Sequence, residues 1–324
     1  MRRIIQFIKE WTLPVSIATG SLLYLVFAFI PALDGAANFF APILDAALPL
    51  FMFLVLYVTF CKVDFRKLIP VGWHLWIALS QVLMVAVVIG AILFFHVTGK
   101  SLILLEALLT CIICPCASAA AVVTQKLGGN LEEMTTYTFL SNFLCALLIP
   151  VCFPLLDAEA DITFWSAFVA ILYKVCLVLV VPMILAYITK HWHTLCRFYQ
   201  WVISMNNLSY YLWGCSLLIV SGTTVKNIVH AEVAVSFLLL IAILALVLCL
   251  IQFAMGRYIG HFFRSTINAG QALGQKNTAF AIWIAYTYLN PLSTVGPGCY
   301  ILWQNIINSV EIWRYDHAIK RKNK

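Results

Sequence analysis

The chain has 324 residues, of which 63% are hydrophobic and only 10% charged, with a mean hydropathy of +0.97. Soluble domains carry about 25% charged residues, so this composition excludes a water-soluble globular protein and makes lipid the solvent for most of the chain. The formal net charge of +7 sits at segment ends rather than on one patch, which excludes a nucleic-acid partner.

Ten apolar segments follow one another, each of about 17–27 residues and able to cross about 30 Å of hydrocarbon. They run approximately 12–31, 37–61, 72–96, 101–125, 133–156, 164–189, 200–222, 232–256, 264–289 and 296–313. Arg2, Arg3 and Lys9 precede the first, and no small-residue cleavage site follows it, so it reads as a span rather than a signal peptide. Span 2 carries Asp45 and span 4 carries Glu106, each close to an outer end and each a candidate proton or substrate site. Span 4 is interrupted at Cys114-Pro-Cys-Ala-Ser118. Span 6 holds Lys174 near midplane, with Asp45 as a candidate partner. Span 7 contains Asn206, Asn207 and Ser209, a polar cluster that suits either a substrate cleft or helix packing.

Span 9 opens on a polar tract, Asn268-Ala-Gly-Gln-Ala-Leu-Gly-Gln-Lys-Asn-Thr278. A lipid-facing helix does not tolerate such a run, because unpaired amides and an ammonium in hydrocarbon each cost several kcal/mol. Gly270 and Gly274 let the helix break, and the freed backbone groups then have to line a cavity or another helix. Gln271 and Gln275 share one face if the helix is intact there. Lys276 invites two readings. It is a buried functional cation, or it snorkels to the inner interface, since Arg264 lies only 12 residues earlier, about 18 Å of helix. Asn277 and Thr278 suit either a ligand or a partner helix. Interrupted segments in both halves of a polytopic chain point to a transporter's binding site.

Lysine and arginine placement sets the orientation. With the N-terminus inside, 16 of the 20 basic residues fall on inner segments, and only Lys100 and Lys226 fall on outer loops. Both termini are then cytoplasmic, in the cell (inner) membrane. Spans 1–5 and 6–10 have opposite orientations, and their breaks lie about 159 residues apart, near Pro115 and Gly274. The predicted fold is therefore an all-α membrane protein of ten transmembrane helices, an inverted five-plus-five repeat over 12–156 and 164–313 with broken helices 4 and 9.

Three motifs carry a family resemblance. Cys114-Pro-Cys-Ala-Ser-Ala-Ala-Ala-Val-Val-Thr-Gln-Lys-Leu-Gly-Gly-Asn130 resembles the fourth-helix motif of the bile acid:sodium symporter family. Gly270 to Thr278 resembles its ninth-helix Glu-Val-Gly-Met-Gln-Asn-Ser, and Gly296-Pro-Gly-Cys-Tyr-Ile-Leu-Trp-Gln-Asn305 its tenth helix. The resemblance runs through nearly the whole chain in order. It implies a panel domain of helices 1, 2, 6 and 7, and a core domain of helices 3–5 and 8–10 in which helices 4 and 9 cross.

The chain departs from that family where sodium is expected. By the resemblance, the first sodium site uses positions that here read Ala120, Ala121, Met134 and Thr138, and the glutamate shared by both sites aligns with Ala272. The second site uses a third-helix glutamine, matched by Gln81, and a ninth-helix glutamine that aligns with Lys276. Hard cations want several oxygen ligands, so a lost carboxylate and a gained ammonium make sodium doubtful and leave proton coupling open.

The sequence thus reads as a secondary transporter of a small organic anion, with the binding region at Gln81, Pro115, Ser118, Thr138, Asn206, Asn207, Gln271, Gln275, Lys276, Asn277 and Thr278. The alternatives are an arsenite-type exporter of the same superfamily, for which Cys116 after proline is the signal, and a non-transporting membrane sensor. An enzyme wants clustered acids or histidines at one interface, and these are sparse. No cofactor is expected. Cys111, Cys114 and Cys116 lack the fourth ligand and paired element of a zinc site, so no metal centre is expected either.

Overall fold

The computed structural model describes residues 12–156, 164–205, 208–230 and 233–322. Among these residues nearly everything is helical and no strand occurs. In chain order the α-helices are α1 (Thr12–Phe29), α2 (Asp34–Cys61), α3 (Gly72–Phe94), α4 (Gly99–Ile113), α5 (Ala120–Lys126), α6 (Leu131–Cys152), α7 (Phe164–Leu179), α8 (Val181–His191), α9 (Cys196–Ser204), α10 (Leu208–Val229), α11 (Val235–Phe262), α12 (Thr266–Gly274), α13 (Thr278–Tyr288) and α14 (Val295–Lys322). Helix occupies all ten predicted segments. Among the described residues five stretches are long and apolar enough to cross a membrane: Asp34–Cys61, Gly72–Phe94, Leu131–Leu155, Phe164–His191 and Val235–Phe262. The last helix runs on to Lys322, past the predicted end at 313.

Lipid as solvent shows in the distribution of side chains. Leu79, Leu83 and Val87 of α3 are exposed, as are Leu239, Ile243 and Leu250 of α11, whereas Gln81 and Gln252 of the same helices are fully buried. Apolar groups meet hydrocarbon at no cost, and polar groups find partners only inside the protein.

The chain divides into two compact units. The first comprises Met1–Lys62 and Leu177–Val233. In it α10 packs along α1 and α2, and α8 packs on α2. Gly20 permits the α1–α10 approach, because a Cβ there would stand 2.1 Å from the Leu218 carbonyl oxygen. Close backbone approach at small residues is how helices associate where no hydrophobic force acts between them. Asn206 and Asn207 lie outside the described residues, as does the Asp45 side chain.

The second unit comprises Val63–Cys176 and Ala234–Lys324. Its α11 and α12 form a tight helical hairpin, in which a Cβ on Gly256 would meet the Ala269 carbonyl oxygen at 2.4 Å. Beside this hairpin, Asn130 caps α6 by accepting from the amides of Glu132 and Glu133. The Asn130 amide donates to Asn268 Oδ1 at 2.9 Å, and Asn268 Nδ2 donates back to the Asn130 carbonyl at 2.7 Å. The start of α6 is thereby fastened to α12.

Candidate functional site

Both polar interruptions predicted from the sequence are real breaks, and both lie in the second unit. Helix α4 stops at Ile113 because Pro115 has no N–H to donate and drives Cys114 into an extended conformation, φ −67° and ψ 153°. Helix α12 stops at Gly274, and Gln275 is likewise extended, φ −94° and ψ 100°. Gln271 and Gln275 therefore do not share the face of one intact helix. The two extended stretches pair as an isolated antiparallel bridge between Cys116 and Lys276. The Ala117 amide donates to the Gln275 carbonyl at 2.9 Å, and the Asn277 amide to the Pro115 carbonyl at 2.8 Å. Each break thus satisfies part of the other's backbone.

The end of α4 leaves carbonyls without intrahelical donors, and these carry the negative end of the helix dipole. Buried side chains supply what is missing. Gln81 Nε2 lies 3.0, 3.2 and 3.2 Å from the carbonyl oxygens of Ile112, Ile113 and Cys114. Lys276 Nζ donates to Ile112 at 3.0 Å and to Cys114 at 3.3 Å. Gln252 Nε2 reaches Cys111 at 3.4 Å and the Tyr300 hydroxyl at 3.1 Å, and that hydroxyl donates to the Gly274 carbonyl at 2.8 Å. The Cys116 amide donates to Ser141 Oγ at 2.9 Å.

Lys276 is 1% exposed, so it does not snorkel. Among the described residues it has no carboxylate partner. Its backbone is held by Gln304, which accepts from the Lys276 amide at 2.9 Å and donates to its carbonyl at 3.2 Å.

The other predicted residues divide into three groups. Pro115, Thr138, Gln275 and Thr278 are buried at the crossing, with Thr138 Oγ1 spent on the Met134 carbonyl at 3.0 Å. Ser118 and Asn277 are half-buried, and Asn277 Oδ1 caps α13 by accepting from Phe280. Gln271 points elsewhere. Its Nε2 donates to Asn308 Oδ1 at 2.9 Å and to Glu311 Oε2 at 3.3 Å, and Glu311 is ion-paired with Arg257.

Four of the positions where sodium ligands are implied carry no oxygen in their side chains, whereas Gln81 and Thr138 do. Ala120, Ala121, Met134 and Ala272 belong to one apolar cluster with Trp73, Ile77, Tyr137, Ala269 and Leu273. At these four positions alanine methyls and a methionine stand where oxygen ligands are implied, and the ammonium of Lys276 lies at the carbonyl rim beside Gln81.

Glu106 is buried and accepts from Ser293 Oγ at 2.6 Å and from the Asn290 amide at 3.3 Å. Lys174 is exposed, with its Nζ 5.6 Å from the centroid of the Tyr288 ring. Sequence reasoning missed Gln252, Ser141 and Gln304 as site residues. The signal for Gln252 was present, the lone carboxamide of a 28-residue helix that is apolar for 15 residues before it. Gln304 lay inside the tenth-helix motif, and Ser141 had no signal, since small hydroxyls in helix interiors usually serve packing.

An apolar exterior and a buried polar crossing of two broken helices define an integral, multi-pass membrane protein. Residues 49–231, more than half of the chain, match the Sodium Bile acid symporter family. The chain belongs to that family, whose members are transporters. The match ends before α12, so the likeness of the ninth and tenth segments rests on their motifs alone. No curated protein matches the chain.

Proposed function

We propose that this protein is a secondary transporter that moves a small organic anion across the cell membrane by alternating access, without two-sodium coupling. The observation that carries this reading is the crossing itself, with Lys276 fully buried against the carbonyl rim of α4. The ammonium of Lys276 offsets the negative end of the α4 dipole, which leaves the positive N-terminus of α13 to favour an anion. Ser118 and Asn277, the half-buried polar side chains among the predicted residues, are our candidates for substrate contact.

The proposed architecture is ten spans in an inverted five-plus-five repeat. Two contacts in the second unit support it. Glu106 Oε2 accepts from Ser293 Oγ, and Glu133 Oε2 accepts from Ser265 Oγ at 3.3 Å. Ser265 lies 159 residues after Glu106, and Ser293 lies 160 after Glu133. One glutamate–serine contact thus maps onto the other, with donor and acceptor exchanged between halves, when the halves are swapped.

The test is uptake by the purified full chain in proteoliposomes, using anions chosen from a thermal-shift survey of soluble organic anions. We expect uptake that persists when sodium is replaced by choline. A sodium dependence with a Hill slope near two overturns the coupling assignment. No uptake of any stabilising anion overturns the transporter reading. Imposing a pH gradient in the same vesicles separates proton coupling, in which uptake follows the gradient, from uniport, in which it does not.

A further inference from the structure

The crossing contains a monovalent-cation site that the chain fills with its own side chain. We infer that Lys276 is a tethered cation, and that removing its side chain leaves a vacancy that binds a small free ammonium ion. Carbonyl oxygens offer only lone pairs and an ammonium offers only donors, so the rim of α4 and Nζ are chemically complementary. Nζ shares the carbonyls of Ile112 and Cys114 with Gln81 Nε2. Gln81 Oε1 and Gln275 Oε1 are buried without a partner, so acceptors remain in excess around the crossing.

The tether is fixed at its root. The bridge to Cys116 and the two bonds from Gln304 hold the Lys276 backbone, so the ammonium is delivered at little further conformational cost. Its countercharge is not a carboxylate but the converging dipoles of a helix end. The apolar cluster that contains Cys116, Ala120 and Ala272 keeps its surroundings dry, which strengthens that interaction. A cation of the same size, held by the same carbonyls, replaces the ammonium without needing the butyl stem.

The proposal deepens the transport reading but is tested first without it. Wild type, Lys276→Ala and Lys276→Met are purified and melted in chloride salts of ammonium, methylammonium, sodium and choline at equal ionic strength. Wild type should melt at the same temperature in all four. Lys276→Ala should melt lower by about 5 °C or more in choline and recover at least half of that in ammonium or methylammonium. Lys276→Met fills the stem volume and blocks the vacancy, so it should stay low in every salt; failure to fold is the extreme of the same loss. The inference is overturned if Lys276→Ala melts alike in ammonium and choline. It is also overturned if Lys276→Met melts within about 2 °C of wild type. In vesicles, Lys276→Ala uptake should fall at least tenfold and return with ammonium. If the wild type moves no anion at all, the transport reading fails while the melting experiment still decides the cation site.

Discussion

Lys276 shows how one side chain's fate depends on where its helix stops. On a continuous helix it lies about 18 Å from Arg264 and can reach for the inner interface. Because α12 ends at Gly274 and Gln275 is extended, the side chain instead meets the rim of α4. Its position then depends on Gln304, whose carboxamide covers both backbone groups of Lys276. Gln304→Leu leaves the buried Lys276 N–H unpaired, whereas the Lys276 carbonyl keeps the Thr278 amide at 2.9 Å, so the change should cost about 1–3 kcal/mol. Chemical denaturation of the purified protein reads this, and an unchanged midpoint refutes the clamp. Gln81→Leu removes one donor shared among three carbonyls and should destabilise by about 1–3 kcal/mol. Its loss should match that of Gln304→Leu, because Lys276 still covers the carbonyls of Ile112 and Cys114 and only that of Ile113 is left unpaired.

At the scale of elements, the position of the second break depends on close packing within the α11–α12 hairpin. Helices α11 and α12 touch at Gly256 and Gly260, where a Cβ would stand 2.4 Å from the Ala269 carbonyl oxygen and 2.6 Å from that of Ser265. These neighbours are backbone and do not yield as a flexible side chain would. Gly256→Ala should therefore lower stability by about 1–3 kcal/mol and displace α12 from the rim. We expect its melting temperature and its uptake to fall together, whereas Gly90→Ala, whose Cβ would meet nothing within 4 Å, should alter neither. The two glutamate–serine contacts belong to this scale as well. Glu106 ties α4 to the turn before α14, and Glu133 ties α6 to the turn before α12. Glu133 also accepts from Trp73 Nε1 at 2.8 Å and from Asn130 Nδ2 at 3.3 Å, which with Ser265 makes three donors against the two on Glu106, Ser293 and Asn290, so Glu133→Leu should destabilise more than Glu106→Leu, by about 1 kcal/mol for the additional bond. Equal losses in a denaturation series contradict that ordering.

At the scale of the molecule, the proposed ten spans and the basic residues predict both ends on one side of the membrane. Tags at the N- and C-termini of the protein in right-side-out vesicles should both resist external protease and both be cut after the membrane is opened. Cleavage of one tag alone means an odd number of spans.

The sequence by itself determined the solvent, the helical class and the two breaks. Lipid forbids unpaired polar groups, so Cys114-Pro-Cys116 and the run from Asn268 to Thr278 had no other place than a protected interior. It also located Gln81, Lys276 and the alanines where sodium ligands are implied, because those positions follow motifs that are local in the chain. Only the tertiary structure decided which polar groups meet. Gln271 sits five residues from Lys276 yet serves Asn308 and Glu311, while Gln252, Ser141 and Gln304 come from three separate helices to complete the crossing. Hydrogen-bond partners across a fold are set by how helices pack and where they are interrupted. The periodicity of a single segment records which face is apolar, but not which distant carbonyl a buried amide will find.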